Sequence, residues 1–424
     1  MKKSLLTIAG ALSIMFSANA QTQVEGQVTM GAGYANNVFY NLADQDDTTI
    51  ASNTWDIAFY RVSSLDKGIR INDGGKLSVF EASNNISDWS TISVTNEANW
   101  TQLYNSDAAW NEGAFDRGSA AFGWGNYNST THAVTGTIIF VVKKPGATGS
   151  PAQYTKVKID QYAGGTYTFT YAKWDGTAWG ADVTKTVANT SNTGKTFNYF
   201  SFTTGDLVDF EPVATEWDFL FTQYTTDYPN PDPQQPGTTI PYVVTGVLQS
   251  PNVKIAKTTN ATANAEDLSA NISMIGYDWK SFTAGSFVVN SNMNYFVKRN
   301  NSDVVYKVNF TQFTGSSTGI AKFNIDNTAT LSVEEVAPGV SFDVYPNPST
   351  DKIINVVYDI QTANSAQNTI AIYSLTGAVV YKAQANTQNG FYSQTLDLSH
   401  LSSGMYMLEF KSGDKSEMKK IILK

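Results

Sequence analysis

The feature that most constrains this chain is its texture: short apolar runs, rarely longer than eight residues, cut at short intervals by Gly, Asn, Asp and Pro. Such runs suit strands, because β-branched and aromatic side chains fit a half-buried pleated surface and the intervening residues supply turns. Thr, Asn, Ser, Tyr and Gly are abundant and only 15% of residues are charged, which tilts the balance further away from helices. The expectation is a nearly all-β protein. With 424 residues and 42% apolar composition, the chain is long enough for two or three domains with sizeable cores.

Local signals give this expectation detail. IRINDGGKLSVF reads as a hairpin turning at Asp73-Gly74-Gly75, and YTFTYAKWDGTAWGADVTK as another turning at Asp175-Gly176. In the second, Tyr167, Phe169 and Tyr171 mark one face of a strand. NEANWTQLYNSDAAWNEGAFD, residues 96 to 116, is the best helical candidate. YPNPDPQQPG, residues 228 to 237, reads as an exposed excursion between two strands.

Two strands open alike. NTWDIAFYR and EWDFLFTQYT each place a Trp-Asp pair, Trp55-Asp56 and Trp217-Asp218, before an apolar run that alternates poorly. We read them as separated strands of one domain rather than a tandem repeat. Each Trp is expected in the core and each Asp on a turn or backbone group.

Several function classes are closed by composition. The chain has no Cys, so disulfides, thiolate metal sites and Cys nucleophiles are excluded, and its only histidines are His132 and His400. HExxH and phosphate-loop motifs are absent, and carboxylate pairs for glycoside cleavage cannot be read from spacing, so no enzymatic activity is expected. Residues 1–20, with Lys2-Lys3, an apolar stretch and small residues at Ala18 and Ala20, read as an export signal. No later segment reaches the length of a transmembrane span. Residues 21–339 carry a net charge of about −11, which repels phosphate backbones and argues against nucleic-acid partners.

A boundary is expected near 332–341, where SVEEVAPGVS interrupts the strand pattern. Beyond it, Tyr345-Pro346-Asn347-Pro348, Ile372-Tyr373-Ser374-Leu375-Thr376-Gly377, Leu401-Ser402-Ser403-Gly404-Met405-Tyr406 and a Lys-rich terminal strand ending Ile421-Ile422-Leu423-Lys424 occur in that order. These residues resemble the type A C-terminal sorting domain of type IX secretion. The resemblance implies a small Ig-like β-sandwich over 340–424, the type IX machinery as a partner, and a destination outside the cell or on its surface. Pro346 and Pro348 are placed ahead of the first strand, and the terminal strand is read as alternating little.

The preceding part, 21–335, resembles the HmuY family of secreted haem-binding proteins. The resemblance is carried by GYANNVFYNLAD, NTWDIAFYR, IRINDGG, KVKIDQYAGGTYTFTYA, FNYFSFTT, EWDFLFTQYT and PYVVTGVLQSPNV. It implies an antiparallel β domain that captures haem or a related tetrapyrrole, free or from haem-carrying host proteins, through axial His or Met side chains. The candidate ligands are His132, Met274 and Met293; no motif matches a ligand pair, and His400 lies in the sorting domain. A Ca²⁺ site at Asp44, Asp46 and Asp47 is a weaker candidate. The alternative is a surface binding or structural module without haem, recognising glycans through exposed rings among Trp100, Trp110, Trp124, Trp174 and Trp179.

Overall fold

The computed structural model describes residues 23–62, 67–189, 194–332, 341–360, 368–412 and 415–424; the export signal and most of the expected boundary lie outside them. The chain is nearly all β, as its texture predicts, and it divides into two compact units at Ser332/Val333.

The first unit is built from four main sheets. An eight-stranded sheet runs through Val183–Ala188, Thr166–Lys173, Gln153–Ala163, Ile139–Lys144, Ser78–Ser83 and Thr101–Leu103, with the hairpin Gly125–Asn128/Ala133–Gly136 added on Gln153–Ala163. A second sheet orders Asp206–Val208, Phe197–Ser201, Ile57–Tyr60 and Ile69–Ile71. A third orders Asp46–Ala51, Asn36–Asn41, Phe219–Pro229 and Thr239–Gln249. The fourth, five-stranded, orders Gln23–Thr29, Ile320–Ala329, Val305–Phe313, Asn294–Arg299 and Val253–Thr258.

Three apolar cores lie between these sheets. Ile57, Phe59 and Phe200 pack with Phe140, Tyr167 and Phe169 between the first and second. Ala58, Tyr199 and Trp55 meet Phe39, Leu220 and Trp217 between the second and third. Val38, Tyr40 and Phe221 meet Val297, Phe310 and Phe323 between the third and fourth. The second and third sheets are therefore inner layers with both faces covered. A strand buried on both faces has no polar side to alternate with, which is why IAFY and FLF read as continuous apolar runs.

The two Trp-Asp pairs sit at equivalent places in these inner sheets. Asp56 donates its N–H to Phe200 O (2.9 Å), accepts from Asn72 N (3.0 Å) on its carbonyl, and accepts from Phe202 N (2.6 Å) on Oδ2. Asp218 donates to Tyr40 O (2.8 Å), accepts from Ser250 N (2.9 Å), and takes Leu42 N (2.7 Å) on Oδ2. In each case the carboxylate binds the residue two beyond the strand partner. Both indoles lie in the central core, Trp55 edge-on to Tyr199 and Trp217 edge-on to Phe39. The core-and-cap reading of Trp and Asp holds.

The reading against a repeat does not. Strand 23–29, hairpin 36–51 and strand 57–60 correspond in order and pairing to strand 183–188, hairpin 197–208 and strand 219–229. Each repeat's leading strand and hairpin join the sheets of the other repeat, so the two form one interlocked unit.

Two local readings are also corrected. Ile69–Ile71 and Ser78–Ser83 do not pair: the first joins an inner sheet and the second the outer one, so Asp73-Gly74-Gly75 turns the chain between layers. The positive φ there falls on Lys76 (+66°), and Gly74 is required instead by close approach, since a Cβ would lie 2.6 Å from Gln223 O. Residues 96 to 116 form no α-helix but two short 3-10 turns, Val94–Asn99 and Ala114–Arg117, around the strand Thr101–Leu103. The buried Arg70 guanidinium takes the Ser106, Ala109 and Glu112 carbonyls (2.7, 2.9 and 3.1 Å), which a helix would have paired internally.

The Asp175-Gly176 hairpin is present, with Tyr171 opposite Val183 and Gly176 at φ +107°. Tyr167, Phe169 and Tyr171 are buried on its inner face. Residues 230–238 form the exposed connection between the paired strands Phe219–Pro229 and Thr239–Gln249.

The second unit is a sandwich of a three-stranded sheet (Ser341–Tyr345, Ile353–Ile360, Gly390–Asp397) and a four-stranded one (Val379–Ala385, Asn368–Ser374, Gly404–Ser412, Lys415–Leu423). Its core includes Phe342, Val356, Ile370, Leu408, Phe410 and Ile421. Pro346 and Pro348 follow the first strand rather than precede it, because SFDVY itself pairs with 355–359. The terminal strand does alternate at its end: Ile421 and Leu423 are buried and Ile422 is not.

Candidate functional site

The three candidate haem ligands are not brought together. His132 is exposed on the turn between Gly125–Asn128 and Ala133–Gly136, at φ +54°. Its Nδ1 lies 2.7 Å from Tyr127 Oη, and the Tyr127 ring is 5.6 Å from that of Phe122. Phe122 and Tyr127 are 49% and 41% exposed, so the two rings present apolar area beside the imidazole. Met274 and Met293, by contrast, pack half-buried against the core between the third and fourth sheets. His400 belongs to the second unit.

Asp44 accepts from Asn41 Nδ2 (2.8 Å) and Asp47 from Thr49 Oγ1 (3.0 Å). Among the described residues no group of three or more His, Asp or Glu side chains is gathered as a metal ion would need.

Of the tryptophans named as glycan contacts, Trp124 is fully buried and Trp110 packs against Trp217 in the central core. Trp179 and Trp89, the latter missed by sequence reasoning, enclose the Lys156 ammonium (5.2 and 4.3 Å from the ring centres). That aromatic cage is thus filled by the chain itself. Trp174 differs: its backbone N–H is held by Tyr154 O (2.9 Å) and its ring lies edge-on to Trp179, yet its indole N–H has no protein partner among the described residues.

Trp174 and Tyr154 line a cleft of about 720 Å³ at the end of the eight-stranded sheet. Its remaining walls include Lys144, Gln153, Thr155 and Lys173, and Asp56 lies among the lining residues as a buried carboxylate. Lys144 Nζ stands 3.6 Å from Asp56 Oδ1, too far for a normal hydrogen bond. None of His132, Met274 and Met293 lines this cleft. Asp56 carried a sequence signal as half of a Trp-Asp pair; Lys144 carried none, being one Lys at a strand end.

Strongly perturbed groups lie elsewhere, in the interior. Burial pushes Glu211 up to about 7, although it accepts from Thr196 N, Phe197 N (2.8 Å) and Tyr199 Oη (3.0 Å). Burial likewise raises Asp116 to about 7, against hydrogen bonds from Gly113 N (2.6 Å) and Ile69 N (3.0 Å). Arg70, Asp73 and Tyr199 line a cavity of only about 40 Å³, room for a water molecule and not for a substrate. These groups hold loops to the core.

In the second unit the motif residues meet across the fold. Asn347 accepts from Ile422 N (2.9 Å) and donates to Lys420 O (2.8 Å), while Ser349 N donates to Ile422 O (2.9 Å). The Tyr-Pro-Asn-Pro segment thereby clasps the terminal strand, an economical reason for both ends of the motif to occur together.

The second unit is therefore a β-sandwich with its own core, following the first in the chain. Residues 343–424 match the family model of the secretion system C-terminal sorting domain. That domain marks proteins secreted by type IX and attached to or released from the cell surface, and the type IX machinery is accordingly a partner. No curated protein matches the chain. Among the described residues no helix is long and apolar enough to cross a membrane.

Proposed function

We propose that the first unit is a binding protein, not an enzyme, that captures haem or a related tetrapyrrole outside the cell, with His132 as the iron ligand. The resemblance to the HmuY family supplies the ligand class. The observation that carries the reading is the exposed Phe122, Tyr127 and His132 group. An imidazole whose Nδ1 is engaged by a hydrogen-bonding partner is held as metal-bound histidines are held, and Nε2 has no protein partner among the described residues. The two exposed rings beside it offer apolar area to a flat macrocycle. Met274 and Met293 pack against a different core, so the reading is of a site with a single protein ligand.

A titration of the purified protein followed in the Soret region, ferric and ferrous, tests this. A saturable shift lost in His132→Ala and weakened in Tyr127→Phe, with Met274→Ala and Met293→Ala unaffected, is the expected result. No saturable shift in either redox state, or one indifferent to His132, overturns it. A second reading, a surface module that recognises glycans, is favoured by the cleft at Tyr154 and Trp174.

A further inference from the structure

The repeat lets one half of the first unit be compared with the other. Lys144 ends the strand Ile139–Lys144 and faces Asp56; Arg299 ends the corresponding strand Asn294–Arg299 and faces Asp218. In the second half the pair is closed. Arg299 Nε and Nη2 each lie 2.7 Å from Asp218, Nη2 also reaches Asn41 Oδ1 (2.6 Å), and Asp218 is 0% exposed. A planar fork matched to a carboxylate leaves nothing for a ligand to satisfy.

In the first half the same place is open. Asp56 is 97% buried by its side chain, being 3% exposed, yet its Oδ1 accepts no hydrogen bond among the described residues and has only the ammonium 3.6 Å away. Its Oδ2 is already used by Phe202 N and Ser201 Oγ. Lys144 is 30% exposed and makes no side-chain hydrogen bond among the described residues. Oδ1 is not sealed from solvent, so its spare acceptor capacity is open to the cleft and available to a ligand hydroxyl. The pair adjoins the cleft that holds the indole of Trp174.

We propose that this cleft is a saccharide site, in which vicinal hydroxyls bridge Asp56 and Lys144 and a pyranose face lies on Trp174. A vicinal diol is both donor and acceptor, so one hydroxyl donates to Asp56 Oδ1 while its neighbour accepts from the ammonium. Neither a carboxylate nor a simple cation satisfies both groups. The axial C–H face of a pyranose supplies the apolar contact that an indole favours. The inference deepens the glycan reading above and is independent of haem.

The decisive variant is Lys144→Arg, which gives the first half the closed pair of the second. The full chain is titrated calorimetrically with cellohexaose, laminarihexaose and mannohexaose, and urea midpoints are measured in parallel. The expected result is saturable binding of at least one hexasaccharide, weakened about tenfold or more both by Lys144→Arg, with the urea midpoint unchanged or raised, and by Trp174→Ala. If no hexasaccharide binds at millimolar concentration, the proposal fails together with the glycan reading. If Trp174→Ala weakens binding and Lys144→Arg does not, the assignment to the Asp56 and Lys144 pair is wrong while the glycan reading stands.

Discussion

Replacing Asp218 by Asn tests whether the closed pair holds the second half of the first unit together. Asp218 accepts from Arg299 Nε and Nη2 and from Leu42 N, all at 2.7 Å, so one carboxylate joins the strands Phe219–Pro229, Asn294–Arg299 and Asn36–Asn41. Removing one partner of a buried pair costs about 3–5 kcal/mol, because the other charge stays buried without compensation. Arg299 is 19% exposed and keeps Asn41 Oδ1, and an Asn side chain still offers an acceptor to Leu42 N, so the lower end, about 3 kcal/mol, is expected. With a urea dependence of roughly 3 kcal/mol per molar, that moves the midpoint down by about 1 M. All nine tryptophans lie between Trp55 and Trp279, so their fluorescence reports the first unit alone. The double variant Asp218→Asn/Arg299→Met should lose less than the two single variants together. A loss under about 1 kcal/mol for Asp218→Asn, or strict additivity, would refute the reasoning.

Stability of the first unit should fall as pH rises through neutrality. Glu211 and Asp116 are held protonated by burial up to about 7, so both bind protons in the fold that the unfolded chain has already released. Their contribution is complete below the ordinary carboxylate range and is lost as pH passes about 7. Urea midpoints at pH 5 and pH 8 check this for Glu211→Gln: the variant should gain on the parent at pH 8 relative to pH 5, and an equal difference at both would count against it. Deleting 341–424 should trap the protein in the periplasm and leave the tryptophan-reported unfolding of the first unit unchanged, because each unit has its own core. Normal arrival of the truncated chain in the medium would overturn the delivery role.

What the sequence by itself determined was whatever rests on neighbours in the chain. The all-β class follows from side-chain type, the Asp175-Gly176 hairpin from a turn whose two strands are adjacent, and the sorting domain from four short motifs in order. The continuous apolar runs after Trp55 and Trp217 were legible too, but not their meaning, since a strand covered on both faces looks the same whichever sheets cover it. The layering was decided by pairings between distant segments, such as Phe200 with Ile57 and Phe221 with Val38. The same distance hid the turn between layers at Asp73, and it hid Arg70, whose hold on residues 106 to 112 replaces the expected helix. Nor could the sequence show that Lys144 and Arg299 are counterparts. Each is one basic residue at a strand end, and only the fold, by setting each against an aspartate 81 or more residues away, leaves one pair closed and the other open to a cleft.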